Sequence, residues 1–314
     1  MRPAGFCSHL REFGYEPHVV SNTCHSANET LTVDDSLLDL VPADLRIDRV
    51  GHTDWMQVLL DLRQRLRRGR RDSGSGEARS EVTQADEIAA IPQGLRLPKA
   101  FAERVQSRLL LFPDRQSGWI NAVRRHVRKL PARERPALVF ATGNPWSSLV
   151  AGMRVAEALD VPFVSDFRDP WTQNPKPPRR ENQARAAVCE RRIIHTSTRV
   201  IANTNALRES FAKLYPDDAA KITTITNGYH EDLIGRFARE SGSVDAKAAT
   251  ELHYFGSVYE LRKPTRLLSA LWHLVKEESV TKDELCVQFT GHWGVTDPEC
   301  NDMVRRLEER GVVR

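Results

Sequence analysis

The sequence lacks any apolar run approaching the roughly 20 residues of a membrane-spanning helix, which excludes an integral helical membrane protein from its 314 residues. Its opening residues, MRPAGFCSHLREFGYEP, lack the apolar core of a secretory signal. Cysteine is scattered at Cys7, Cys24, Cys189, Cys286 and Cys300, without paired spacing. That argues against a disulfide framework or a zinc site and fits reduced thiols in the cytoplasm. Charge of one sign is not in excess: 46 basic against 42 acidic residues leaves +4, so global electrostatics gives no case for nucleic acid. There is no Walker-type loop and no Cys/His nucleophile arrangement. His126, His195, His253, His273 and the Cys24-His25 pair lack metal-ligand spacing and read as ordinary histidines. Neither a metal nor a cofactor is expected.

What is present is a soluble globular balance, 40% hydrophobic and 28% charged, in a chain long enough for two domains. A strand is expected at EPHVVSN (16–22), after an opening helix. From residue 136 short apolar runs alternate with helical stretches. ALVFA (137–141), VPFVSDF (161–167), RVIAN (199–203) and KITTITNG (221–228) read as strands, with helices between them. Such alternation implies parallel βαβ units with right-handed crossovers. A second series starts at LHYFG (252–256), with a helix at 264–278, a strand at LCVQFTG (285–291) and a helix at 301–311. The expected division is a domain over 1–237, a polar linker over 238–251 and a shorter domain over 252–314.

Between the opening strand and this alternation lies WMQVLLDLRQRLRRGRR (55–71), followed by a Gly/Ser-containing polar stretch, together a basic insertion of about 55–100. Trp55, Val58, Leu59, Leu62 and Leu66 share a helical face, which fits either a core-packed helix or peripheral contact with an anionic membrane. The arginine run has no interleaved aromatics, which weighs against nucleic-acid binding. Asn144 and Pro145 read as the cap and first turn of a helix, and Asn227-Gly228 as a turn with positive φ at the glycine.

The stretch LVFATGNPWSSLVAGMRVAEALDVPFVSDFRDPW, continued by RVIANTNALRESFAKLYPDDAAKITTITNGYHEDLI, resembles the first domain of GT4-like glycosyltransferases. HLREFGYEPHVVS is similar to the first helix and second strand of such enzymes, and LHYFGSVYELRKPTRLLSAL to the start of their donor-binding domain. The resemblance implies an α/β, GT-B-like fold of two Rossmann-type parallel-sheet domains. It places the family's first strand before Met1 and its E-x7-E region beyond Arg314, so the second domain is only partly present. A sheet without its central first strand is expected to be poorly stable.

The resemblance further implies transfer of a sugar from a nucleotide-sugar donor to a glycan or lipid-linked acceptor, with retention and without a metal, as in polysaccharide biosynthesis. The alternative is a non-catalytic remnant that cannot bind donor. Arg262 and Lys263, between a strand and a helix N-terminus, match the family's diphosphate-binding basic pair. Asp166, Arg168 and Asp169 leave a strand at its ligand-binding end and are the expected catalytic groups, facing the cleft between the domains. The competing reading of that knuckle is an Asp–Arg ion pair fixing the loop, with Pro170 and Trp171 packed beneath. Gly5 is expected in the remnant of a glycine-rich loop.

Overall fold

The computed structural model describes residues 2–23, 40–53, 112–175, 178–229 and 249–314. The basic helix at 55–71, the insertion around it, Cys24-His25 and nearly all of the 238–251 linker lie outside these. The chain divides into two compact units, Met1–His230 and Glu231–Arg314. Both are parallel-sheet α/β units, as the alternation of strands and helices implies.

The first unit opens with helix α1 (Arg2–His9) and strand β1 (His18–Asn22), which pairs in parallel with β2 (Arg46–Val50). Gly5 therefore lies inside a helix, not in a loop: its backbone carries no loop conformation to serve a phosphate. Strand β2, RIDRV, has no apolar run to announce it. Its charges are paired instead: Asp48 accepts from His18 at 2.8 Å and His126 at 2.7 Å, and Arg46 reaches Glu134 at 2.9 Å.

Helix α2 (Ser117–Arg128) follows, burying Trp119, Ile120, Val123 and Val127 on one face at helical spacing. Then come β3 (Val139–Gly143), α3 (Trp146–Leu159), β4 (Phe163–Phe167), α4 (Gln183–Thr196), β5 (Arg199–Ala202), α5 (Asn205–Leu214) and β6 (Ile222–Thr224). Strands β3 to β6 form one parallel sheet in sequence order. β4 is interior, so its side chains are buried on both faces, and FVSDF needs apolar residues at most positions. Phe163, Phe167, Phe211, Leu149, Ile193 and Ile194 are nearly inaccessible, each contributing about 1.5–3 kcal/mol of burial. Helix α3 lies close against the sheet at Gly152, where an added Cβ would sit 2.5 Å from the Ala141 methyl.

Asn144 does not cap α3. The residue at the cap is Pro145, and the free Ser147 N–H is taken by the distant Asp114 carboxylate at 2.8 Å, with the Ser147 hydroxyl donating to it at 2.6 Å. A carboxylate from elsewhere in the chain thus meets the same helix-end requirement. Gly228 is not among the described glycines with positive φ, so the expected turn conformation is absent there.

The second unit contains β7 (Thr250–Phe255), β8 (Val258–Tyr259), α6 (Thr265–Lys276), β9 (Leu285–Thr290), β10 (Trp293–Gly294) and α7 (Pro298–Glu309). β7 pairs with β9 and β8 with β10, all in parallel. Leu268, Leu271, Val275, Val287 and Leu307 form its core. Helix α7 starts earlier than its apolar pattern suggests, because Asp297 caps it and Pro298 occupies its first turn. Residues 312–314 run along β9, with Phe289 N–H donating to the Arg314 carbonyl at 2.9 Å.

Candidate active site

In a parallel sheet all strands end on one edge, and in open α/β sheets ligands collect there. In the first unit that edge carries Thr142 and Gly143 from β3, the 166–172 knuckle from β4, Asn203 after β5 and Thr226-Asn227 after β6.

The three expected catalytic residues have three different environments. Asp166 is fully buried and pairs with Arg2, whose Nε and Nη2 lie 3.0 and 2.8 Å from its two carboxylate oxygens. Thr142 Oγ1 donates to it at 2.7 Å, and Arg2 Nη1 also reaches the Thr226 carbonyl at 2.8 Å. An ion pair does anchor the knuckle, but the arginine is Arg2 and not the neighbouring Arg168. Arg168 folds back on β3: its Nε donates to the Gly143 carbonyl at 3.0 Å, and its guanidinium also reaches the Asn144 carbonyl. The Asn203 amide in turn donates to the Arg168 carbonyl. Asp169 alone of the three stands exposed.

Beneath the knuckle Trp171 is buried and stacks on Trp146 with ring centres 5.1 Å apart and planes within 5°. The Phe112 ring also packs against Trp171, with ring centres 6.3 Å apart, and the Arg185 guanidinium lies over Phe112 at 4.0 Å. Packing of Trp171 under the loop is as the competing sequence reading had it. Sequence reasoning missed Glu190, a fully buried carboxylate on α4. It accepts from the Trp171 N–H at 3.2 Å, the Thr172 N–H at 2.9 Å, the Thr172 hydroxyl at 2.7 Å and the Tyr215 hydroxyl at 2.7 Å. Burial, and then this carboxylate, push the Tyr215 phenol far above its ordinary range. A glutamate amid AVCERR in a helix gives no local sign of being buried.

A cavity of about 650 Å³ lies among α2, α3 and α4, lined by Phe112, Arg115, Ile120, Arg154, Arg185 and others. It includes none of the knuckle acids. Among the described residues no group of three His, Cys, Asp or Glu side chains is arranged to hold a metal ion.

In the second unit Arg262 and Lys263 do sit between β8 and α6, but they differ. Lys263 is held by Asp297 at 2.6 Å and Glu260 at 3.3 Å, and these carboxylates push its ammonium pKa up. Arg262 is exposed, its guanidinium 5.5 Å from the Tyr259 ring centre.

Residues 87–233, ending close to the boundary of the first unit, match the family model described as Glycosyltransferase Family 4. A D-inositol 3-phosphate glycosyltransferase of Kineococcus radiotolerans is 26% identical over 189 residues, 54% of this chain and 41% of that protein. D-inositol 3-phosphate glycosyltransferase 2 of Catenulispora acidiphila is 30% identical over 135 residues, 40% of this chain and 31% of that protein. The chain thus spans less than half the length of the curated relatives it matches. Among solved structures, Arabidopsis thaliana UGT89C1 complexed with quercetin aligns over 97% of this chain and 67% of its own, at 12% identity and a TM-score of 0.44. Residues 87–233 are thus similar to Glycosyltransferase Family 4, and both curated relatives are glycosyltransferases.

Proposed function

We propose that this protein transfers a sugar from a nucleotide-sugar donor to the hydroxyl of a glycan or lipid-linked acceptor. The carrying observation is the exposure of Asp169 within the family-matched segment, at the ligand-binding edge of the sheet, while both flanking charged residues are committed to internal bonds. Asp169 receives the proton of the attacking acceptor hydroxyl. The acceptor oxygen bonds to the anomeric carbon as the anomeric C–O bond to the diphosphate breaks, and the nucleoside diphosphate leaves with the electron pair. Arg262 is the cation for that leaving charge. Lys263, tied to two carboxylates, supports the loop instead. Asp166 and Arg168 shape the knuckle and do not contact substrate.

Among the described residues no helix is long and apolar enough to cross a membrane. A cytoplasmic enzyme that meets lipid-linked acceptors at a membrane surface fits this reading. The test is release of nucleoside diphosphate from a panel of UDP-, GDP- and ADP-sugars, with soluble glycans, lipid-linked saccharides and inositol phosphates as acceptors. Acceptor-dependent release supports transfer. Absence of release with every pair overturns it.

A further inference from the structure

Glu190 is an unusual expenditure for a helix that only has to pack on a sheet. Its side chain is wholly inaccessible, and four donors converge on its two oxygens, three from the knuckle and one from Tyr215. A buried carboxylate is tolerated only when such donors replace its lost water. An apolar residue would hold α4 to the sheet as well, but would leave the Trp171 and Thr172 N–H groups without this acceptor. The carboxylate therefore fastens a loop to a helix. On the other side of Asp169, Arg168 fastens the same loop to the exit of β3. The exposed acid lies between two ties, two residues before Trp171.

We propose that Glu190 is a positioning residue, fixing the loop that presents Asp169 so that the carboxylate is held at one place on the sheet edge. This inference rests on the transferase reading given above for its catalytic consequence, but not for its structural one. Catalytic groups must be held closely, and a misplacement of about 1 Å can cost roughly 100-fold in rate.

Two variants of the full chain test it. Glu190→Ala removes the acceptor of both backbone N–H groups. Tyr215→Phe removes one donor and keeps the ring beside Phe211, which covers the case in which the first variant does not fold. Amide hydrogen exchange should accelerate at Trp171 and Thr172 by about tenfold or more, while the strand amides of Val200 and Ile201 stay protected. Turnover should fall about 10- to 100-fold with donor KM little changed. In an Asp169→Asn background, the same substitution should add little further loss, because the group being positioned is already gone. Unchanged exchange at 171–172, equal acceleration throughout the unit, or a loss that multiplies fully in the Asp169→Asn background would each overturn the proposal. If the unaltered chain transfers no sugar, the transferase reading fails alone, and exchange decides whether Glu190 holds the loop.

Discussion

Arg2 and Asp166, 164 residues apart, form a two-point ion pair in which the arginine side chain is 7% exposed and the aspartate not at all. It joins the opening helix to the interior strand of the main sheet. Breaking a buried pair by removing one partner leaves an uncompensated charge, at a cost of about 3–5 kcal/mol. Arg2→Ala should therefore lower the first unit's stability by about that amount. Asp166→Asn, which still accepts from Thr142 and Arg2, should cost less. Denaturant titrations of both variants check the order; equal losses would mean that charge is not the issue.

Asp169→Asn should behave oppositely. The side chain is exposed, so melting should hardly move, while turnover falls about 10²- to 10⁴-fold if the carboxylate is the general base. A matched loss of melting temperature would assign the residue to the fold.

The basic pair of the second unit should separate in the same way. Arg262→Ala should reduce turnover about 10²- to 10³-fold, the scale of one lost electrostatic donor. Lys263→Ala should instead release Asp297 and Glu260 and lower stability slightly, as expected for an exposed pair, with turnover little changed. Identical kinetic losses from the two variants would show that both hold the diphosphate.

Gly152→Ala sets two known effects against each other. Alanine improves helix propensity by about 1 kcal/mol. Its methyl, however, would meet the Ala141 methyl at 2.5 Å and the Phe163 ring at 3.0 Å, and overpacking costs about 1–3 kcal/mol. Neither the strand backbone nor the buried ring can yield easily, so the melting temperature should fall. A rise would mean that α3 can lift from the sheet.

Part of the acid sensitivity should trace to Asp48. Burial pushes its pKa up, but hydrogen bonds from His126, His18 and Arg46 outweigh this and hold it at about 2. A folded-state pKa below the unfolded value of about 3.9 gives stability that is present above pH ~4 and lost as pH falls toward about 2. Asp48→Asn should flatten stability over that window and leave the protein weaker at pH 7. An unchanged acid limb in circular-dichroism titrations would place the sensitivity elsewhere.

Strands β3 to β5 were legible because each is a short apolar run between helices, whereas β6 carries only Ile222 of that signal. β2 was not legible, since Arg46, Asp48 and Arg49 hide it. It is held by partners 30 to 88 residues away. Helix α2 had a readable face in Trp119, Ile120, Val123 and Val127, masked by the basic residues between them. The knuckle could be read as a candidate site, because charge at a strand exit is local information. Which charge is spent internally could not. Asp166 finds Arg2, Lys263 finds Asp297 and Glu190 finds Thr172 only through the tertiary fold.

The face-to-face indoles of Trp146 and Trp171 give the knuckle an optical signature of its own. One ring belongs to the loop and the other to the first turn of α3, so any shift between loop and scaffold changes how the two chromophores couple. Near-ultraviolet circular dichroism and tryptophan emission, recorded while acceptor is added, would then register the loop directly, without a label and without waiting for turnover.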